Sequence, residues 1–313
     1  MLRHPRASGR QACLPRTHAK RTRALPDDRP DHDEGALRLA DGATIGFASG
    51  GPKDRLPLVY HHGFLGSRLE PFSLGVPPLG TVSLDRPGYG ASTPATGGLA
   101  LWGEHAAGTL ALQGVGRCVV MGVSAGAPYA LATALALGSL CERLVLVGGV
   151  GGPDMVRVGG WPIRLMPYFA DRPRLQAVAV RALLAQIRRP GLRRRWLDLA
   201  LAEERRVLGR DERRRLAAGL ARAVAAGSSA GAAGVRHDLA VLTAPWDVAP
   251  DGLTCPAVVA HGTADAVVPY AHALWWTARL PDARLMVLEG EGHVSSVVRM
   301  VERLPELALP LDV

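Results

Sequence analysis

Three short stretches of this chain hold residues whose types and order could carry out nucleophilic chemistry. Gly122-Val123-Ser124-Ala125-Gly126 directly follows an apolar run, Cys118–Met121, and opens an alanine-rich stretch. A strand that turns sharply into a helix needs small residues flanking the turn, so that the two elements can approach, and it holds the central residue in strained backbone geometry. The Ser124 hydroxyl would then project above a sheet edge at a helix N-terminus, whose dipole favours a developing negative charge. A serine of ordinary pKa needs a base, and the base needs an orienting acid. Asp265 follows the run Pro256–Ala260, in His261-Gly262-Thr263-Ala264-Asp265, and His293 follows Arg284–Leu288, in Gly290-Glu291-Gly292-His293. Both would fall at the carboxyl ends of strands, where the sites of open α/β sheets gather. Asp265 has a competing role as the N-cap of a helix around 270–278. Asp154, after Arg143–Val147, is the alternative acid. The other histidines fit worse: His4, His18 and His32 precede the patterned part of the chain, and His105, His237 and His272 fall in helical stretches.

Attack on a carbonyl also needs N–H donors for the oxygen that gains charge. The backbone N–H of Ala125 is one. The loop after Leu56–Tyr60, His62-Gly63-Phe64-Leu65-Gly66-Ser67, can supply the second from Phe64, with Gly63 permitting an unusual backbone. His62 reads as a brace for this loop. His61 and His62 do not read as metal ligands, because side chains of adjacent residues diverge and no H-E-x-x-H pattern occurs, so no metal is expected.

The elements that must position these residues are legible as apolar runs that each end in glycine or a polar residue: 56–60, 81–84, 118–121, 143–147, 256–260 and 284–288. Helical stretches at 104–113 and 126–140 lie between some of them. Strands buried on both faces and alternating with helices predict a mostly parallel α/β sheet flanked by helices. Leu37 and Leu39, the Asp41-Gly42 turn, and Thr44, Ile45 and Phe47 predict an antiparallel hairpin ahead of it. The alternation breaks at 153–249, which has no convincing strand and carries 18 arginines. Ala179, Ala182, Leu183 and Ile187 there fall at helical spacing. The expected organisation is a disordered basic tail over 1–34, a core formed by 35–152 and 250–313, and a helical cap inserted at 153–249.

Composition narrows the classes. The chain has 313 residues, 48% of them hydrophobic and 21% charged, enough for a full core and against wholesale disorder. No run approaches the ~18 apolar residues that would cross a bilayer, so no membrane insertion is expected. Of the net charge of +9, seven positive charges fall in residues 1–25, which contain no acid. The rest is nearly neutral, which argues against nucleic-acid binding by the folded body. The four cysteines form no C-x-x-C pair and read as reduced, buried thiols of a cytoplasmic protein.

In its ordered motifs the chain resembles the α/β-hydrolase superfamily: His62-Gly63-Phe64, Asp85-Arg86-Pro87-Gly88-Tyr89-Gly90, Gly122-Val123-Ser124-Ala125-Gly126, His261-Gly262-x-x-Asp265 and Gly292-His293 occur in register over 36–152 and 250–313. The resemblance implies Ser124 as nucleophile, Asp265 as acid, His293 as base, Phe64 and Ala125 as oxyanion donors, a helical cap and no cofactor. It gives the Asp85–Gly90 segment a structural role only. Epoxide hydrolases and haloalkane dehalogenases carry an aspartate where Ser124 stands, which disfavours those activities. The leading expectation is hydrolysis of carboxylic esters of small or medium acyl substrates. The alternatives are a carbon–carbon bond hydrolase or lyase with the same three residues, and a non-catalytic ligand-binding protein. Leu65, Trp161, Met166 and Phe169, with Tyr168, are the candidate pocket residues, and ordinary packing is the competing reading for each. Nothing in the sequence indicates an oligomeric state.

Overall fold

The computed structural model describes residues 32–75 and 79–307. Eight strands form one sheet: β1 (His32–Arg38), β2 (Thr44–Gly50), β3 (Leu58–His61), β4 (Thr81–Leu84), β5 (Cys118–Val123), β6 (Cys141–Val147), β7 (Ala257–Gly262) and β8 (Ala283–Leu288). Their order is β1-β2-β4-β3-β5-β6-β7-β8. Pairing is parallel from β4 to β8, and β2 runs antiparallel to both its neighbours. This is the mostly parallel sheet that the apolar runs predict. The chain lays β4 on one side of β3 and β5 on the other, so the order switches between β3 and β5. Crevices at such switch points are where open α/β sheets bind ligands.

The helices are α1 (Glu70–Ser73), α2 (Leu99–Leu112), α3 (Ala127–Leu137), α4 (Trp161–Arg164), α5 (Met166–Ala170), α6 (Pro173–Arg188), α7 (Pro190–Ala200), α8 (Arg210–Gly227), α9 (Ala233–Thr243), α10 (Ala271–Arg279) and α11 (His293–Leu307). Alternate residues of the strands face opposite sides, as a two-residue period requires. Val59, Val120, Leu144, Leu146 and Val259 pack with Trp102 and Leu110 of α2, Leu131 of α3 and Trp276 of α10. Leu58, Tyr60, Met121, Val145 and Val258 pack with Val297, Met300 and Leu304 of α11. Two helices differ from the sequence reading for visible reasons. Helix α3 stops at Leu137 because Gly138, at φ +54°, turns the chain out of the helix. Helix α2 starts five residues earlier than expected because the Asp247 carboxylate, 148 residues away, accepts the N–H groups of Leu99 and Ala100.

The hairpin is as predicted. Leu37 pairs with Ile45, Gly42 sits at φ +91°, and the Asp41 carboxylate accepts the Ala43 N–H across the turn. The sheet starts earlier than the tail boundary at 34, because β1 begins at His32. Its ladder to β2 carries His32, Asp33 and Glu34, Arg68 binds Glu34, and the His32 ring stacks on Phe72 at 4.6 Å. Residues 1–31 of the expected tail, with His4, Cys13 and His18, lie outside the described residues.

Between β6 and β7 the chain leaves the sheet and is helical from α4 to α9, with no strand among the described residues. Val180, Leu184 and Ile187 of α6 face inward at helical spacing, and most of the arginines stay exposed. Cys118, Cys141 and Cys255 are buried free thiols without disulfides, and the Cys255 thiol donates to Cys141 Sγ at 3.5 Å. No described helix is long and apolar enough to cross a membrane.

Candidate active site

Ser124 sits at φ +54°, one of two described non-glycine residues with a positive φ in the left-handed region. Such a conformation costs about 1–3 kcal/mol and persists only where the surroundings impose it. The surroundings here are the two glycines of the turn. A Cβ on Gly126 would fall 2.3 Å from the His61 carbonyl oxygen, and one on Gly122 would fall 2.6 Å from the Ala130 Cβ. Strand β5, the end of β3 and helix α3 can therefore close on one another only with glycine at both positions. The sharp turn that the sequence predicts is the one observed.

The loop after β3 lies against this turn. A Cβ on Gly63 would be 3.5 Å from the Ser124 Cβ. Leu65 in the same loop is the other positive-φ residue, at +65°, and is buried. Among the described residues the Phe64 N–H donates to no protein acceptor. The expected brace is present: one ring nitrogen of His62 donates to the Gly63 carbonyl and the other accepts the Arg86 N–H, which fixes the tautomer with the proton on Nδ1.

Three further groups hold this loop, and the motifs gave no chemistry to any of them. Glu70 is buried, and its carboxylate accepts the Gly63 N–H and the Tyr60 hydroxyl, both at 2.9 Å. Burial pushes its pKa up, against the lowering effect of these two donors, Arg86 and His293. Arg86 is fully buried and donates to the carbonyl oxygens of His62 and Gly63 and to the Asp238 carboxylate. Asp238, on α9, also accepts the hydroxyls of Tyr89 and Tyr129, at 2.7 and 2.8 Å. The Asp85–Gly90 segment, read as structural only, thus contributes the guanidinium that ties the loop to the chain beyond β6.

The two residues expected to serve as acid and base lie side by side. His293 Nδ1 and Asp265 Oδ2 are 2.7 Å apart, and the Asp265 side chain is fully buried. Asp265 does not fill the competing N-cap role, because α10 begins behind Tyr270 with no side-chain cap bond. Oδ1 accepts the N–H groups of Val267 and Val268, and Oδ2 is left to face the imidazole. Burial alone would raise the Asp265 pKa, but the charge and hydrogen bond of His293, with His261 and the Val268 N–H, hold it below the usual carboxylate range. Behind the pair, burial lowers the pKa of His261, against the raising effect of Asp265, and lowers that of His272 to about 4. The turn after β6 joins this pair to the elbow. A Cβ on Gly148 would lie 3.2 Å from the His293 ring and 3.3 Å from Asp265 Oδ2, and the Val150 N–H donates to the Ser124 carbonyl.

The alternative acid, Asp154, does not meet His293 among the described contacts. Asp154 is exposed, and its carboxylate is engaged by the Trp275 indole and Arg279 on the outside of the molecule. Of the candidate pocket residues, Leu65 and Met166 share one apolar cluster with Ala125, Val150, Val156, Ile163 and Val268. Phe169 is half-buried, with its ring against Tyr168, and has no described contact with that cluster. The side chain of Trp161 lies outside what the structure describes. No group of His, Cys, Asp and Glu among the described residues is arranged to hold a metal ion.

Comparison with known proteins agrees with this architecture. An esterase from Exiguobacterium antarcticum superposes with a TM-score of 0.62 at 17% identity, over 87% of this chain and 98% of that one. An esterase from Rhodococcus sp. ECU1013 gives 0.60 at 21% identity, over 89% and 98%. At this identity the likeness speaks for the fold. In sequence, 48 residues are 44% identical to a pimeloyl-[acyl-carrier protein] methyl ester esterase of Aromatoleum aromaticum, covering 15% of this chain and only 19% of that protein. The model of the alpha/beta hydrolase family matches residues 58–304, a span that takes in the loop after β3, Ser124, Asp265 and His293. The chain belongs to the alpha/beta hydrolase family.

Proposed function

We propose that this hydrolase is a serine esterase acting on carboxylic esters with small or medium acyl groups. The observation that carries the reading is a strained Ser124 flanked on one side by the braced loop after β3 and on the other by the turn after β6, which itself abuts the 2.7 Å Asp265–His293 pair. His293 takes the Ser124 proton as Oγ attacks the ester carbonyl, and Asp265 stabilises the imidazolium and fixes its orientation. The N–H groups of Phe64 and Ala125 receive the oxyanion. Collapse of the tetrahedral species breaks the bond to the alcohol, which leaves with the proton from His293. A water, deprotonated by His293, then attacks the acyl-enzyme and releases the acid. No step calls for a metal or an organic cofactor.

The helical segment between β6 and β7 acts as a cap in this reading. Its Val156, Ile163 and Met166 pack with Leu65 and Ala125 beside the elbow, which favours an apolar acyl group. Trp161 and Phe169 are proposed as outer contacts of the same pocket. The esterases among the structural neighbours and the short match to a methyl ester esterase support ester cleavage. Buried thiols without disulfides fit a reducing, cytoplasmic setting.

The test is turnover of p-nitrophenyl acetate, butyrate and octanoate, beside a dienone-type carboxylic acid that only a carbon–carbon hydrolase would cleave. Ester turnover that rises with acyl length and falls by roughly 10⁴-fold or more in Ser124→Ala is expected. Cleavage of the dienone acid with no ester turnover would replace this reading with the carbon–carbon one.

A further inference from the structure

The base loop carries a contact that the mechanism does not use. Glu204 lies between α7 and α8, is fully buried, and reaches the first turn of α11 from 90 residues away in sequence. Its Oε1 accepts the Val294 N–H at 2.7 Å, and a Cβ on Gly292 would fall 2.8 Å from both carboxylate oxygens. The carboxylate is therefore flush against the backbone on both sides of His293. The backbone of Glu204 is itself held, since its N–H donates to the Leu201 carbonyl and its carbonyl accepts the Leu208 N–H. Beside it, Val294 packs against Leu197, Leu201 and Ala217 of the same helical segment.

Helix N-termini are usually capped by a side chain close in sequence, but Gly292, just before α11, has none, and Ser295 reaches back to accept the Gly292 N–H at 2.8 Å, which leaves the Val294 N–H without a local acceptor. A second, long-range carboxylate is a costly way to satisfy one more N–H, because burying such a group is unfavourable unless its polar atoms are paired. Glu204 Oε2 has no hydrogen-bond partner among the described residues. A local serine or aspartate could accept the Val294 N–H without a buried carboxylate being brought from another segment against both sides of His293. We infer that Glu204 is a positioning residue for the base: it clamps Gly292 and Val294 and so fixes where His293 presents its ring to Ser124. The helical segment is then a working part of the acid–base machinery as well as a roof over the pocket. This inference rests on the serine reading above.

Two variants test it. Glu204→Leu fills the space with no acceptor, and Glu204→Gln keeps an oxygen for the Val294 N–H. Loosening the base should lower kcat on the order of 10- to 100-fold in the leucine variant, since small misplacements of catalytic groups have effects of this size. KM should move little, and substrate affinity in a Ser124→Ala background should be the same with and without the leucine. The glutamine variant should stay within about twofold of the wild-type kcat. A wild-type kcat in the leucine variant, a change confined to KM, or a glutamine variant as slow as the leucine one would each overturn the inference. Should the leucine variant fail to fold, the glutamine kcat still decides it, because a fall beyond about tenfold contradicts a role as hydrogen-bond acceptor. Ser124→Ala tests the serine reading separately, so a wild-type leucine variant of an enzyme that needs Ser124 removes the positioning role alone.

Discussion

Asp265 divides its work between two oxygens, one on the Val267–Val268 turn and one on His293. Asp265→Asn preserves the turn acceptor and, on the proposed mechanism, removes the charge that stabilises the imidazolium. It should therefore leave the fold intact while lowering kcat by roughly 10⁴-fold, checked by ester kinetics beside circular dichroism. Gly126→Ala should fail differently. Its methyl group has to displace the carbonyls of His61 and His62, so both the Ser124 turn and the loop after β3 shift, and the loss should appear in kcat and in thermal stability together. Ser124, Asp265 and His293 are legible in the sequence because each has a local signature: a glycine-flanked turn, or a polar residue just past an apolar run. Glu70, Arg86, Asp238 and Glu204 have none. Arg86 and Asp238 are 152 residues apart and meet only through the fold, and no spacing rule connects them.

At the scale of elements, the buried Arg86–Asp238 pair joins the loop after β3 to α9. Removing one partner leaves the other charge buried and unpaired, which typically costs about 3–5 kcal/mol, while removing both costs less than the sum. Arg86→Met, Asp238→Leu and the double variant, compared by urea unfolding, should show this non-additivity; additive losses would mean that the two groups do not depend on each other. Arg86→Met should also slow turnover, because the carbonyls of His62 and Gly63 lose their donor. Strand positions were legible because buried parallel strands are short, apolar and punctuated. Element ends were less so: the start of α2 is set by Asp247 and the start of β1 by pairing with β2, Arg68 and Phe72, none of which is local.

Over the whole molecule, the nearly neutral body expected outside the tail conceals a separation of charge. Residues 153–249 hold 18 arginines against nine carboxylates, so the excess of positive charge in the body is concentrated in the helical segment. That segment packs on Leu65, Tyr89, Ala125, Val150 and Val268, which follow the carboxyl ends of β3 to β7, so the charge gathers at that edge of the sheet. Buried histidines give the molecule a second global property. Burial lowers His61 to about 3, with Arg86 adding to the effect, and His272 to about 4, from an ordinary value of 6.5. The unfolded chain therefore binds protons that the native state refuses as pH falls below 6.5. Each neutral histidine contributes stability that is complete above that value and is lost as pH falls toward its folded pKa, at about 1.4 kcal/mol per pH unit. Urea unfolding of His272→Gln between pH 6.5 and 4 should show a slope shallower than wild type by about that amount, and an unchanged slope would contradict it. The account as a whole turns on whether Ser124 is an activated nucleophile, and the most direct measurement is fluorophosphonate labelling read by intact mass and peptide mapping. One adduct per chain, on Ser124 and absent from Ser124→Ala, is the predicted result. A folded protein that takes no adduct, or takes it on another residue, would contradict the serine mechanism.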